Sequence, residues 1–432
     1  MAKVSKIDIL IIACIYLMVV VLGFFGIQRS FNRILIAVIL IRLIIGHSKS
    51  LLKNKFFLFG ALIVVLLVIS SLFLNGLHAM ISVGWGNLLI LLYSMIYALY
   101  FYALCKYNSL TIKTVYQKSA FIINATMIAN VIAVIYQINH PGQLIAAISP
   151  NYDADVLQKM VTIGDTASGF FAFGSVHTLC IFSVFTIIYN LSFSEYLKRK
   201  WQKILIGIYI IFIAVINLGT SLLNDNKAFF ILLPMALLIY FFMGLDLSKK
   251  SMTRVFTVIA ILLITAMLMI VFNSSFLVSL TDTLVDMANF SRVALQTGAG
   301  NGSNERIAIP IYALKKSSTW IFGMGIGVAD YYRSGFLGFN HFGQSDMGTF
   351  LVFFGVWISV LIFIYFLKIY ERIIMPSNYK RSAFVSFLMI LLFVLMMIFT
   401  QIITNYNNQI TLLLLILALR MRYIAVQSGS QE

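Results

Sequence analysis

Runs of about 20 consecutive apolar residues recur along the whole chain. A helix of that length spans the roughly 30 Å hydrocarbon core of a bilayer. Of the 432 residues, 61% are hydrophobic and 10% are charged, whereas soluble domains carry about 25% charged residues. The sequence therefore predicts an all-α polytopic membrane protein.

The apolar runs divide into twelve predicted membrane spans, a single transmembrane domain that takes in residues 1–432. They are approximately 7–27, 31–46, 56–75, 83–104, 119–138, 168–191, 203–219, 227–244, 254–272, 347–368, 382–402 and 407–424. Neither a repeat of 20–50 residues nor a similarity between the two halves is visible.

The net charge of +17 suits a nucleic-acid partner in principle, but the positions of the charges favour membrane topology. With the N-terminus inside, 22 of the 31 basic residues fall in cytoplasmic segments, as the positive-inside rule requires. The nine predicted outside are Arg29, Arg33, Lys159, Lys227, Arg292, Arg306, Lys315, Lys316 and Arg333. We therefore predict a cytoplasmic-membrane protein with both termini cytoplasmic and no nucleic-acid partner.

The cysteines and the N-terminus add little chemistry. Cys14, Cys105 and Cys180 lie in apolar segments without CxxC or Cys/His spacing, so neither a disulfide framework nor a zinc site is expected. We predict no cofactor and no metal. Lys3 and Lys6 before an apolar run resemble a signal peptide, but no small-residue cleavage site follows, so we interpret the run as an uncleaved first helix.

Two predicted extracytoplasmic loops are long, the smaller at 139–167 and the larger at 273–346. A structureless loop as long as the second is unusual in a compact protein. Its sequence predicts a helix at the membrane surface over 274–294 and a second helix over 305–316. The larger loop also holds most of the outer ionisable groups, so we expect the chemistry there.

Arg306 and the glycine-rich turn at 323–327 are the first candidates in this loop. A guanidinium can bind phosphate oxygens with two donors, although a surface arginine at the membrane interface explains Arg306 as well. The turn resembles a phosphate-binding loop in composition, but it is not GxGxxG after a strand. The glycines are better explained by a tight turn or by close approach of the backbone to a substrate.

His341 is the candidate base, because a histidine with an ordinary pKa near 6.5 can accept a proton from a sugar hydroxyl. Packing explains it equally well. Asp346 can orient His341 or cap the tenth span. His177 in the sixth span and Lys227 at the start of the eighth are ionisable groups at membrane depth, with a helix–helix hydrogen bond and an interface anchor as the respective alternatives.

Several short motifs carry a resemblance to a known family. The large loop has an arginine-bearing helix, the turn Phe322-Gly-Met-Gly-Ile-Gly, and Asn340-His341 before Asp346-Met-Gly and Gly355-Val-Trp. The segment from Gly219-Thr-Ser to Lys227-Ala-Phe-Phe is similar to a small-residue and basic segment, with Lys227 where arginine is usual. Together with the span layout, residues 160–370 resemble the Wzy-type O-antigen and exopolysaccharide polymerases and the related O-antigen ligases.

The resemblance implies a metal-independent glycosyltransferase on the outer face of the cytoplasmic membrane. Its partners would be a polyprenyl diphosphate-linked glycan, the lipid bilayer, and chain-length regulator and flippase proteins. Arg306 matches the arginine that holds the donor diphosphate and His341 the histidine that activates the acceptor hydroxyl. The residues expected to bind diphosphate or glycan are Arg306, Lys227, Arg333, Asp346 and His177.

Two alternatives remain open at this point. A ligase uses the same chemistry and passes the glycan to a different acceptor. A lipid-linked oligosaccharide flippase or transporter belongs to another class. The missing half-repeat, the few charges within spans and the long polar outer loop disfavour the flippase.

Overall fold

In a computed structural model of the chain, every regular element in the described part is helical, which confirms the all-α prediction. The structure describes residues 4–25, 27–51, 54–140, 167–171, 176–223, 228–243, 321–327, 345–375 and 383–429. Both predicted surface helices, 274–294 and 305–316, and the predicted ninth span, 254–272, lie outside these ranges.

Most of the described helices overlap a predicted span, whereas α5 was not predicted. Their bounds are α1 Lys6–Leu17, α2 Gln28–Leu51, α3 Lys55–Ala79, α4 Trp85–Tyr107, α5 Ser109–Lys118, α6 Ala120–Asn139, α7 Val176–Ser194, α8 Lys200–Leu223, α9 Ala228–Phe242, α10 Asp346–Ile374, α11 Ala383–Phe399 and α12 Tyr406–Gly429. Two π-helical turns are also present. Met18–Leu22 extends α1, and Met80–Gly84 joins α3 to α4.

Six helical stretches in the described residues are long and apolar enough to cross a membrane. They are Lys55–Tyr107, Ala120–Asn139, Val176–Ser194, Lys200–Ser221, Asp346–Ile374 and Tyr406–Val426. Two shorter apolar helices, Ala228–Phe242 and Ala383–Ile398, accompany them. The chain is therefore built as a helical membrane protein.

The first of these stretches reverses direction at Gly76. The rings of Phe56 and Tyr102 lie 5.1 Å apart, whereas a straight helix would separate these residues by about 70 Å. Gly76 has φ 74° and ψ 171°, a backbone conformation that side chains rarely permit. The sequence predicted a loop near 76–82; the structure instead turns within a continuous helical stretch, and α3 and α4 pack antiparallel.

A second glycine reverses α10. Phe350 and Phe363 have ring centroids 6.0 Å apart, where a straight helix would place the residues about 20 Å apart. Gly355, with φ 66°, is the break. The span predicted over 347–368 lies within this stretch, but the sequence did not predict its reversal: residues 346–354 fold back along 356–374, because Gly355 adopts a backbone conformation closed to most residues.

The centre of the bundle is formed by α7 and α12. The apolar stretches of these helices are 83% and 72% buried, respectively, against 22% for α8. On α8, Ile204, Ile208 and Ile211 are each at least 60% exposed. An exposed apolar face of this kind suits contact with hydrocarbon chains and would be costly in water.

Polar contacts gather at two opposite ends of the bundle. At one end, which we call the basic end, Arg420 donates to the carbonyl oxygens of Ile373 (2.7 Å) and Cys105 (3.0 Å), the last turns of α10 and α4. A cation at helix C-termini is favourable for the helix dipole. At the other end, which we call the turn end, the reversal at Gly76 and the 400–405 turn between α11 and α12 are found.

Candidate functional site

The residues predicted to act on the substrate fall unevenly on the structure. Arg306, Arg333, His341 and Lys227 lie outside the described residues. Asp346 and His177 lie inside them, at the first residue of α10 and in the first turn of α7. The described part of the site thus consists of these two residues and the backbone segments that flank the others.

Asp346 holds the 400–405 turn. Its carboxylate accepts hydrogen bonds from the backbone N–H groups of Ile402 (2.5 Å), Ile403 (2.7 Å) and Thr404 (3.0 Å), and from the Thr404 hydroxyl (2.5 Å). Asp346 is fully buried. A carboxylate has about four acceptor positions, so the protein's own donors occupy all of them. Asp346 can bind a substrate or accept a proton only by giving up one of these bonds.

The cap of α10 is Ser345, and the prediction that Asp346 caps this helix is wrong. The Ser345 hydroxyl accepts from Gly348 N–H (3.2 Å) and donates to Met397 O (3.2 Å). The Ser345 backbone is extended, with φ −137° and ψ 128°, as a capping residue requires. Asp346, one residue further on, is therefore free to reach the 400–405 turn.

The polar residues that follow this turn join four helices. Asn407 and Gln28 exchange side-chain hydrogen bonds. Thr178 donates to Asn408 (2.6 Å), and Gln409 donates to the carbonyl of Ser94 (2.7 Å). These buried amides carry the contacts of α12 with α2, α7 and α4.

The same contacts place His177 at the end of the bundle where Asp346 holds the 400–405 turn. His177 precedes Thr178, whose partner Asn408 also donates to Gln401 O (2.7 Å) in the turn that Asp346 holds. The structure therefore brings the two described candidates to the same end of the bundle. It is Thr178, next to His177, that bonds to Asn408.

The glycine-rich segment, residues 321–327, packs into the break of α10. Met324 and Gly325 donate their N–H groups to the carbonyls of Val352 (2.7 Å) and Phe353 (2.8 Å). These carbonyls precede Gly355, where the helix can no longer supply partners. A Cβ on Gly323 would lie 2.4 Å from Phe353 O. The glycines thus permit close approach to the protein's own backbone.

Three polar side chains of the α3–α4 hairpin complete this contact. The Asn75 amide donates to Met324 O (2.9 Å) and accepts from Gly327 N–H (3.1 Å). Asn87 donates to Ile326 O (2.7 Å), and Ser71 accepts from Ile326 N–H (3.2 Å). Since the N–H groups of residues 324–327 all donate within the protein, this turn is not a phosphate-binding loop.

Sequence reasoning missed Ser71, Asn75 and Asn87. Their signal was present, because each is a polar residue inside or beside a predicted span, in Ser70-Ser-Leu-Phe-Leu-Asn75 and Gly84-Trp-Gly-Asn87. A polar group that is removed from water needs a hydrogen-bond partner. Polar residues in such apolar sequence therefore indicate contacts with polar groups elsewhere in the chain. The partner could not be identified, since it lies about 240 residues away.

Two ion pairs stabilise the basic end. Asp8, 1% exposed, accepts from Arg42 Nε (3.0 Å) and Nη2 (2.8 Å), and also from Tyr100 and Asn108. Arg422 pairs with Glu195, which also accepts from the Tyr240 hydroxyl (2.9 Å). These charges are satisfied by one another and are structural.

A metal site is a separate question. Among the described residues, no group of three or more His, Cys, Asp or Glu side chains could hold a metal ion. Within the described part of the chain, the turn end offers amides, hydroxyls, the Asp346 carboxylate, the His177 imidazole and the guanidinium groups of Arg29 and Arg33.

The fold and these contacts together define a helical membrane protein with a polar, hydrogen-bonded end. No protein-family model and no curated protein matches the chain.

Proposed function

We propose that the chain is a polysaccharide polymerase, a glycosyltransferase that joins polyprenyl diphosphate-linked repeat units on the outer face of the cytoplasmic membrane. In this proposal the bundle has twelve spans, both termini are cytoplasmic, and the turn end faces outward. Arg306, Lys227 and Arg333 stabilise the diphosphate, and His341 activates the acceptor hydroxyl.

The observation that carries the proposal is the anchoring of both ends of the segment that holds Arg333 and His341. Before this segment, residues 324–327 are fixed to α3, α4 and α10. After it, Ser345 and Asp346 are fixed to α11 and to the 400–405 turn. A transferase without a metal must hold its cations and base by the protein alone, and this anchoring supports such a role.

The basic residues support the proposed orientation. Arg42, Arg420 and Arg422 are predicted cytoplasmic and lie at the basic end, where they contact Asp8, Ile373 and Glu195. Cations of multispan proteins concentrate on the cytoplasmic side. The turn end, with Gly76 and Asp346, is then the outer end.

The reversals in α3–α4 and α10 bear on the transporter alternative. Transporters use broken helices to present free backbone groups to their substrates. Here the carbonyls of Val352 and Phe353, next to the break at Gly355, accept from Met324 and Gly325. The break is filled by the protein, which favours a static scaffold for a transferase.

The test is replacement of Arg306 and His341, each by alanine, in the native host, with surface polysaccharide resolved on a gel. We expect the long-chain ladder to disappear while single repeat units remain, because the diphosphate or the acceptor hydroxyl is no longer engaged. Lys316→Ala, a cation of the same loop without an assigned role, is the matched control and should keep the ladder.

Other outcomes distinguish the alternatives. A full-length polymer retained on its lipid carrier would identify a ligase. Accumulation of lipid-linked units on the inner leaflet would identify a flippase. Normal chain length in both alanine variants, at normal protein levels, would overturn the site assignment.

A further inference from the structure

Two arginines stand one helical turn apart at the start of α2, on its exposed side. Arg29 and Arg33 are both exposed, whereas Gln28 and Asn32, beside them in sequence, are 6% and 1% exposed and face the bundle. Gln28 bonds to Asn407, so the arginines belong to the turn end. Arg29 also interacts electrostatically with Tyr406 at the start of α12.

This position is electrostatically unfavourable for the arginines. The first turns of a helix carry the positive end of its dipole, and like charges four residues apart repel. The ion pairs among the described residues are Arg42–Asp8, Lys368–Glu371 and Arg422–Glu195, so no described carboxylate compensates Arg29 or Arg33. The charge pattern also places both on the outer side, where cations are fewer. A bound anion would offset both the unfavourable helix dipole and the repulsion between the two arginines.

An apolar stripe continues from the arginines along the same helix face. Leu40 and Ile44 follow Arg33 by seven and eleven residues, which returns them to its side of the helix. They are 38% and 60% exposed. They lie about 10 and 16 Å further along the axis, the depth of lipid chains beneath a headgroup.

We propose that Arg29 and Arg33 bind the phosphate head of an anionic lipid whose chain lies along Leu40 and Ile44. The guanidinium groups supply bidentate donors to phosphate oxygens, and the stripe selects an amphiphile over a free anion. On the proposed function, a polymerase needs two lipid diphosphates at once, and we assign this site to the acceptor. That assignment rests on the proposed function, whereas the site itself rests on α2.

The test is equilibrium binding to the full-length protein in neutral detergent. The probes are farnesyl diphosphate, phosphatidylglycerol and inorganic pyrophosphate. We expect the double variant R29Q/R33Q to bind lipid phosphate about 10- to 100-fold more weakly, the range expected for losing charge-assisted hydrogen bonds. R29K/R33K should retain part of the affinity, because the charge remains without the bidentate geometry.

A matched control comes from α8. Arg199, just before α8, and Lys203, in its first turn, are also exposed cations four residues apart. They lie in a segment predicted to be cytoplasmic. The double variant R199Q/K203Q should bind the lipid probes as the wild type does. Tighter binding of farnesyl diphosphate than of phosphatidylglycerol supports the acceptor assignment, whereas the reverse order supports the site but assigns it to bulk lipid.

Three results would overturn the site. They are unchanged lipid binding by R29Q/R33Q, pyrophosphate binding as tight as that of the lipids, and a lowered unfolding temperature as the sole effect, which would make the arginines interface anchors. The binding assay does not depend on polymerisation. Weakened lipid binding in R29Q/R33Q, combined with accumulation of lipid-linked units on the inner leaflet in the Arg306 and His341 variants, would therefore keep the lipid site and reject the proposed function.

Discussion

Asn75 uses both halves of its amide on one short segment. Its Nδ2 donates to Met324 O and its Oδ1 accepts from Gly327 N–H, so a single side chain closes residues 324–327 into a fixed turn. A helical N–H or C=O group would not be available for this purpose, because helices bond internally. Asn75 is therefore the side chain on which the glycine segment depends most.

Replacing Asn75 with alanine should lower the free energy of unfolding by about 2–4 kcal/mol, since two backbone groups lose their partners in a poorly hydrated place. The measurement is the unfolding temperature of the purified protein in detergent. Asn139→Ala is the control, because the exposed Asn139 amide bonds within its own helix, to Ile135 O, and to no other residue in the described part of the chain. Equal unfolding temperatures for the two variants would contradict the role given to Asn75.

At the scale of elements, the sequence predicted where most helices run and one of the two glycine reversals. The span predicted at 119–138 corresponds to α6, Ala120–Asn139, because an apolar run of this length is typical of a helix. The reversal between α3 and α4 was predicted as a loop near 76–82 and lies at Gly76. The reversal at Gly355 was not predicted, since an apolar run continues through Gly355, and a glycine in a helix marks a reversal only when tertiary contacts demand it. Of the site, the sequence predicted that Asp346 orients His341 or caps α10; the structure gives the cap to Ser345, and His341 lies outside the described residues.

Gly323→Ala tests the contact between the glycine segment and α10. Gly323 has φ 74°, and an added Cβ would meet Phe353 O at 2.4 Å, so we expect a loss of about 2–4 kcal/mol from backbone strain and displacement of the segment. Gly86→Ala is the matched control, because nothing lies within 4 Å of its Cβ position. Thermal unfolding of both variants is the measurement, and a Gly323 variant as stable as the Gly86 variant would show that the segment does not pack there.

At the scale of the whole molecule, the contacts between distant residues join positions predicted on the same side of the membrane. Asp8 meets Arg42 and Asn108 at one end, whereas Gln28 meets Asn407 at the other. The contacts thus agree with the predicted division of these residues into two sides, and the choice of the outer side is a proposal that rests on the charge count. What the sequence lacked was distance information, since charge assigns a side to a loop but does not pair one loop with another.

The orientation predicts which surface positions are accessible from outside. In a background with Cys14, Cys105 and Cys180 replaced by alanine, we expect a membrane-impermeant maleimide to label Ser30→Cys in intact cells. Lys113→Cys, on the exposed side of α5, should be labelled only after permeabilisation. Labelling of Lys113→Cys in intact cells, or of both positions to the same extent, would refute the two-sided arrangement.

The contact between Asn87 and Ile326 also sets an order of assembly. The two residues are 239 positions apart, and a ribosome needs roughly 12–50 s to cover that distance at 5–20 residues per second. The α3–α4 hairpin therefore enters the membrane long before its partner segment exists. During that interval Ser71, Asn75 and Asn87 need water or an insertion factor as a temporary partner, and a chain truncated before residue 321 should be a preferred substrate for membrane proteases.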